Sequence, residues 1–284
     1  MTSAFEELAA RYDAWYDTAS GRVLYDLELG CLRPFLSGTG APRLEVGVGS
    51  GRFAAALGVD VGLDPGRAAL RLAAKRGVRV VQGAGERLPF SDDAFGAVGL
   101  VVTLCFAEDP EGLLGEVRRV LGPGGTLVVG LVPGDSAWGR WYEEKGRAGH
   151  PFYQSAHFLT LSDHLRLLGH AGFEPVASRS TLIQAPTDAP IDEAVQEGIV
   201  PGAGFVALVA SAGGGRQRGD VKPRRECPAM PRPQETEQID AQMSQVRRER
   251  LRTREPPHAP PPRPASVQSR SVPQPRGVTA TSAS

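Results

Sequence analysis

Three alternating glycines, Gly47, Gly49 and Gly51, follow directly on a short apolar run that contains Leu44, Glu45 and Val46. A buried strand that meets such a turn must stop, and the backbone there can approach a ligand that side chains would keep away. Arg52 and Phe53 then open a helical pattern over residues 52–57. A second run, Val59-Asp60-Val61-Gly62-Leu63-Asp64-Pro65, comes at the spacing of a neighbouring parallel strand and ends on a carboxylate. Strand, glycine turn, helix and acid-tipped strand are the layout of a nucleoside-binding α/β domain, in which that carboxylate receives a ribose.

The pattern continues over residues 43–210. Strand candidates are 43–48, 60–63, 78–82, 97–102, 126–132, a stretch near 175–181, and 204–210; helix candidates are 52–57, 67–75, 110–121 and 161–171. Short continuous apolar runs suit strands covered on both faces. Their alternation with helices predicts a Rossmann-like, doubly wound, mostly parallel seven-stranded sheet with helices on both faces. The late strands are spaced closely enough for a terminal antiparallel hairpin. Residues 41–211 thus form the expected cofactor domain.

Two aromatic segments flank this pattern. Residues 1–40 are expected to be a helical cap of two helices broken at Thr18-Ala19-Ser20-Gly21, with Phe5, Leu8, Tyr12, Trp15 and Tyr16 on the first. Each aromatic taken alone suits packing; as a cluster with Asp13 and Asp17 they make a candidate lid. Residues 133–160 form a long connection crowded with Trp138, Trp141, Tyr142, His150, Phe152, Tyr153, His157 and Phe158. Loops of that length are functional or disordered. So many rings argue against disorder, so the expected role is a substrate-covering insertion, with satellite packing as the competing role.

Charge divides the chain. The formal net charge is zero, yet residues 212–284 carry 14 Lys+Arg against 7 Asp+Glu, which leaves 18 against 25 for the rest. This Pro/Arg-rich basic tail has almost no aliphatic periodicity and is expected to be disordered. Its arginines Arg247, Arg248, Arg250, Arg252 and Arg254 lack interleaved aromatic residues, so nucleic-acid contact through the tail has weak support. Cys31, Cys105 and Cys227 show no CxxC spacing and no neighbouring histidine cluster, which speaks against a disulfide framework and against a metal site. The start lacks a signal-peptide pattern and no apolar run is long enough to span a bilayer, so a cytoplasmic chain without a membrane partner is expected.

The glycine spacing bears on the cofactor. A dinucleotide fingerprint needs G-x-G-x-x-G, but its third glycine position holds Arg52. Glu45 would repel a pyrophosphate, whereas it would favour a cofactor bearing an ammonium or a sulfonium. A phosphate-binding P-loop fails because no Gly-Lys-Ser/Thr follows.

These residues resemble the class I S-adenosylmethionine-dependent methyltransferases, in particular those with a type 11 methyltransferase domain. Glu45 through Gly51 resembles their first motif, which wraps the methionyl part of the cofactor. Asp64 matches their ribose-binding acid. Glu86-Arg-Leu-Pro-Phe-Ser-Asp-Asp-Ala-Phe matches the loop between the third and fourth strands, and Arg119-Val-Leu-Gly-Pro-Gly-Gly-Thr-Leu the turn into the fifth. The resemblance runs from Tyr12 to about Ala210. It implies S-adenosylmethionine as cofactor, held by Glu45, Gly47, Gly49, Gly51, Asp64, Pro65, Ala84, Gly85, Glu86 and Thr103. One departure touches the adenine: Gly83-Ala84-Gly85-Glu86 stands where the family often has Gly-Asp-Ala-Glu, which leaves that contact to backbone or Glu86. A second, Gly96 in place of an aspartate after Phe95, concerns the entrance to the fourth strand.

For an in-line methyl transfer the protein contributes alignment and exclusion of water. A general base is needed only for a hydroxyl or a protonated amine, and His150, Tyr153 and His157 are the weak candidates. Acceptor contacts are expected from Tyr12, Trp15, Tyr16, Trp138, Tyr142 and Tyr153. Cys105 has no basic neighbour and reads as apolar filler rather than a nucleophile. The Asn-Pro-Pro-Tyr and Pro-Cys motifs of nucleic-acid methylases are absent, which favours a small-molecule acceptor. The alternatives are an RNA or protein methyltransferase tethered by the tail, and a non-catalytic cofactor-binding protein. The oligomeric state is open.

Overall fold

A computed structural model describes residues 4–212. The basic tail, apart from Ala212, lies outside the described residues, as does Cys227. The chain opens with helices α1 (Ala4–Trp15) and α2 (Ala19–Leu36). They are broken where expected: Thr18 leaves helical geometry and its side chain accepts the Gly21 N–H at 3.0 Å. There follow β1 (Arg43–Val46), α3 (Arg52–Leu57), β2 (Val61–Asp64), α4 (Arg67–Lys75), β3 (Arg79–Gln82), β4 (Phe95–Val101), α5 (Pro110–Val120) and β5 (Leu121–Leu131). The chain continues through α6 (Ala137–Arg147), α7 (Leu161–His170), β6 (Phe173–Thr181), β7 (Gln196–Glu197) and β8 (Phe205–Ala212).

The strands form one sheet in the order β3-β2-β1-β4-β5-β8-β6-β7. Strands β1 to β5 pair in parallel, and β8 enters antiparallel between β5 and β6. The order reverses at β1 and β4, the switch point where ligands bind in doubly wound sheets. The sheet has eight strands rather than the expected seven. The additional one, β7, pairs only Gln196 with Ser180 and Glu197 with Arg179. Two exposed polar residues offer no alternation to read in sequence.

Alternation along the strands feeds two cores. Leu44 and Val46 of β1, Val98 and Leu100 of β4, and Leu127 and Val129 of β5 pack on the face covered by Leu113, Leu114 and Val117 of α5 and Leu168 of α7. The other face holds Ala97, Val101 and Val128 under Leu24, Leu32 and Leu36 of α2, Phe53 of α3, Ala73 of α4 and Trp138 of α6. Glu45, between Leu44 and Val46, therefore faces the α2 side. A Cβ built at Gly99 would lie 4.0 Å from the Glu45 Cγ and 3.7 Å from Leu36 of α2.

Residues 133–160 are not a loop. They hold α6, started by Ser136, whose hydroxyl accepts the Gly139 N–H at 2.9 Å and which Lys145 and Arg147 close, and a 3-10 turn over Tyr153–Ser155. Trp138, Trp141, Tyr142 and Lys145 recur at helical spacing, but ring-rich helices have weak intrinsic propensity and the period is easy to miss.

Candidate cofactor and acceptor site

The turn after β1 is held by backbone and one carboxylate. Gly47 N and Val48 N both donate to Leu63 O, at 2.8 and 3.0 Å, which ties the turn to β2. Gly47, Gly49 and Gly51 sit at φ +76°, +53° and +77°, in the left-handed region that a side chain disfavours. Space excludes a side chain too: a Cβ on Gly47 would meet Thr103 Oγ1 at 2.6 Å, and one on Gly51 would meet the Ala73 Cα at 2.8 Å. Thr103, just past β4, donates to Val46 O at 3.0 Å and so locks β4 against the turn.

Asp64 organises the loops around it. Its Oδ2 accepts the Gly49 N–H at 2.9 Å and its Oδ1 the Gly66 N–H at 2.8 Å. Pro65 lies outside α4, whose N-cap is Gly66, so Asp64 braces the entry turn rather than capping a helix that starts at Pro65. Gly85 is enclosed: a Cβ there would meet Leu113 at 2.8 Å and Val46 at 3.1 Å. Ala84 is exposed and Glu86 half-buried beside it. Arg119 pins this loop by donating to Leu88 O at 3.0 Å and Phe90 O at 2.7 Å, while pairing with Glu116 and Asp92. Glu116 also accepts the Leu88 N–H. The family-like Arg119 motif thus works through the loop rather than only through the turn into β5.

Glu45 is 3% exposed and its Oε2 is buried without a hydrogen-bond partner among the described residues. Burial, and then the charge of Asp64, pushes its carboxyl up to about 8. A carboxyl buried in this way ionises near neutral pH only with a cation beside it.

The α1 helix is latched over the turn. Arg52 pairs with Asp13 at 2.7 Å and with Asp17 at 2.8 Å, and lies 5.5 Å from the Tyr16 ring centroid. Arg76 pairs with Asp13 at 2.9 Å and donates to Ser50 O at 2.8 Å. Desolvation opposes ionisation of Asp13, but hydrogen bonds from Arg52, Ser50 and Arg76 hold its carboxyl below the usual range. The arginine that replaces a dinucleotide glycine therefore joins cap and turn.

An aromatic cluster lies near the carboxyl end of β4. Tyr12 and Tyr16 share a 3.1 Å hydroxyl contact, Tyr12 meets Phe152 at 4.9 Å between centroids, and Tyr142 meets Tyr153 at 4.7 Å. The cluster also touches the β4 exit: Cys105 O accepts the His157 N–H at 2.7 Å, and the Cys105 thiol interacts electrostatically with Tyr12 and Tyr153. Burial pushes the Cys105 thiol up to about 12, as befits filler. Of the expected acceptor contacts, Tyr12, Tyr16, Tyr142 and Tyr153 gather here. Trp15 packs edge-on against Tyr16 at 5.1 Å. Trp138 offers no surface to an acceptor: it is 0% exposed, with its indole N–H given to Gln184 O at 2.8 Å. Packing has claimed it. Of the three candidate bases, His157 is exposed, while His150 stacks on Tyr153 at 4.6 Å with its Nδ1 buried and unpartnered among the described residues. Desolvation, then Lys145 and Arg11, holds His150 below its ordinary value, so it stays neutral near pH 7.

Sequence reasoning missed Glu28, whose charge is felt by Tyr12, Tyr16, Tyr142 and Tyr153 together. The signal was available, because Glu28 lies inside the apolar stripe of Leu24, Leu27, Cys31 and Leu32. Among the described residues no group of histidine, cysteine and acidic side chains could hold a metal, and no helix is long and apolar enough to cross a membrane.

A parallel sheet with a glycine turn and an acid-tipped β2 defines a nucleoside-cofactor α/β protein. Comparison with known proteins narrows the class. A methyltransferase-domain family model matches residues 44–129. A Mycobacterium tuberculosis protein described as uncharacterized is 46% identical over 210 residues, 74% of each chain. A similarly described Methanocaldococcus jannaschii protein is 34% identical over 73% of this chain and 98% of its own length. A Thermotoga maritima crystal structure, described as an S-adenosylmethionine-dependent methyltransferase and possible histamine N-methyltransferase, superposes with TM-score 0.68 at 34% identity, over 74% of this chain and 98% of that one. The chain belongs to the class I S-adenosylmethionine-dependent methyltransferase family, and its cofactor is S-adenosylmethionine. The site suits that group: backbone bare of Cβ lines the turn, and Glu45 offers an unpartnered buried oxygen to a cation.

Proposed function

We propose that this chain transfers a methyl group from S-adenosylmethionine to a small organic acceptor in the cytoplasm. In this reading residues 1–40 form the cap, 41–211 the cofactor domain, and 133–160 the cover over the acceptor. The observation that supports it is the cluster of Tyr12, Tyr16, Tyr142 and Tyr153 beside the β4 exit, a set of paired rings whose faces and hydroxyls suit contact with a small organic molecule. The Thermotoga relative's description as a possible histamine N-methyltransferase agrees with an acceptor of that size.

The bound cofactor supplies a methyl carbon made electrophilic by its sulfonium. Gly47, Gly49 and Gly51 would bring backbone to it, Glu45 would face its positive charge, and Asp64 and Pro65 would hold the ribose. Ala84, Gly85 and Glu86 would border the adenine, and Thr103 closes the turn. The cap, latched through Arg52, excludes water and holds the acceptor in line.

Because Glu45 is protonated below about pH 8 in the cofactor-free protein, a cation beside it should displace that proton. Affinity for S-adenosylmethionine is expected to fall as pH drops below 8. Calorimetry at pH 7 in two buffers of different ionisation enthalpy should show release of close to one proton, absent in Glu45→Gln. Equal heats in both buffers for the wild type would reject this role.

The function itself is tested by incubating the purified chain with methyl-labelled S-adenosylmethionine and a metabolite extract. Label in a small-molecule fraction is expected. Label found only in RNA or protein, or none at all with S-adenosylhomocysteine formation at background, would overturn the proposal.

A further inference from the structure

Val102, the first residue past β4, sits at φ +51°, in the left-handed region that a β-branched side chain avoids. Such strain persists only where neighbouring contacts hold it, and it marks a backbone with a competing, relaxed arrangement. The Val102 N–H still donates to Gly130 O of β5 at 2.8 Å, as a continuing strand would. The next residue, Thr103, reaches the other way. Its hydroxyl donates to Val46 O at the end of β1 at 3.0 Å, with Val101 O also within 3.2 Å.

Thr103 is wedged against the glycine turn without spare volume. A Cβ built at Gly47 would lie 2.6 Å from both the Oγ1 and the Cγ2 of Thr103. Gly47 is tethered from behind, its N–H on Leu63 O at 2.8 Å. A Cβ at Gly49 would meet nothing within 4 Å, so the turn is open on that side. A ligand seated there bears on a backbone that cannot shift without moving Thr103, because close-packed groups transmit displacement.

On its other side Thr103 begins the exit from β4. Its carbonyl accepts the Phe106 N–H at 2.9 Å and so closes a 3-10 turn, Leu104–Phe106. Leu104 and Cys105 are buried, and the Cys105 thiol donates to Val102 O at 3.6 Å. Cys105 O then accepts the His157 N–H at 2.7 Å. His157 comes two residues after the turn Tyr153–Ser155, whose Tyr153 ring pairs with that of Tyr142. Hydrogen bonds and covalent backbone therefore run unbroken from Val46, beside the glycine turn, to the segment 133–160.

We propose that Thr103 is a positioning residue that carries the occupancy of the cofactor turn to residues 133–160, so that this cover is ordered only once the cofactor is bound. This rests on the methyltransferase reading and adds an order to it: cofactor first, acceptor second. The two-state element is Val102. When it relaxes, Thr103 leaves Gly47 and Cys105 O loses its hold on His157. A cofactor that binds the turn better with Thr103 in place favours the strained arrangement by that difference in affinity.

The test is amide hydrogen exchange of the whole chain, free and saturated with S-adenosylhomocysteine, together with calorimetry. Wild type is compared with Thr103→Ser, Thr103→Val and Thr103→Ala; alanine removes the hydroxyl without adding bulk against Gly47. Valine and alanine are expected to weaken S-adenosylhomocysteine binding about 10-fold, the scale of one hydrogen bond, and serine by less than about 3-fold. In wild type and Thr103→Ser the ligand should slow exchange at the His157 amide about 10-fold or more, within the usual range of coupling between sites. In Thr103→Val and Thr103→Ala that slowing should be lost even at saturation. Exchange at Leu208, buried in β8, should slow with ligand in all four proteins, because binding stabilises each against global opening. A purely structural Thr103 would lower stability and leave the response of His157 intact. That result, or wild-type affinity in both valine and alanine variants, or a loss in serine equal to theirs, would overturn the proposal. If ligand binds and slows Leu208 in wild type but leaves His157 unchanged, only the coupling fails. A wild type that does not bind S-adenosylhomocysteine would remove the methyltransferase reading and the proposal with it.

Discussion

Asp64→Ala is expected to weaken S-adenosylhomocysteine binding by about 100-fold or more and to lower the melting temperature as well. The carboxylate accepts the Gly49 N–H at 2.9 Å and the Gly66 N–H at 2.8 Å, so it braces the turn and the entry to α4 together. Each charge-assisted hydrogen bond contributes about 1.5–3 kcal/mol, and about 1.4 kcal/mol is tenfold in affinity. Losing the brace alone lets Gly49 leave its φ of +53° and blurs the surface that meets the cofactor. Loss of the ribose contact proposed for Asp64 would add to this. Asp64→Asn keeps one acceptor and places an amide N–H against the other donor, so it should fall between wild type and alanine in both measurements. Calorimetry and thermal melts of the three proteins separate the roles. Undiminished binding by Asp64→Ala would show that the carboxylate serves the loops alone.

Trp138→Ala should cost about 3–5 kcal/mol of stability, the range for deleting a large buried aromatic. The indole is 0% exposed, packs edge-on against Trp141 at 5.4 Å and donates to Gln184 O at 2.8 Å. Gly204 lies so close to it that any Cβ at that position would overlap the ring. The hydrogen bond also ties α6 to the segment after β6, where Gln184 is itself held by Glu193. A urea melt should therefore show a large drop in midpoint, while the protein that remains folded keeps its acceptor affinity. A stability change under about 1 kcal/mol together with weakened acceptor binding would return Trp138 to the role its sequence setting implied.

These two residues mark how far the sequence could be read. Asp64 was legible because its setting is local: an acid that ends an apolar run, a fixed distance after a glycine turn. Trp138 was misplaced because a tryptophan in a ring-rich connection looks the same whether its ring lines a hollow or fills a core. Only its neighbours decide, and Gly204 and Gln184 are far away along the chain. Arg52 shows a third case. Sequence identified it as the residue that departs from a dinucleotide turn, but its pairing with Asp13 and Asp17, which ties α1 and the turn after it to the start of α3, required α1 to be laid over α4.

The sequence by itself determined the parallel half of the sheet, the glycine turn after β1 with Asp64 at the end of β2, and the break between α1 and α2. Each is written in residues a few positions apart, where hydrophobic period and glycine geometry act directly. Tertiary structure alone decided that β8 inserts between β5 and β6, and that residues 133–160 fold as a helix and a 3-10 turn whose flanking Phe152 packs on Tyr12 of α1. Pairing and burial of that kind depend on contacts between residues far apart in sequence, such as Thr126 with Ser211 and Arg179 with Gly30, and no local pattern records them.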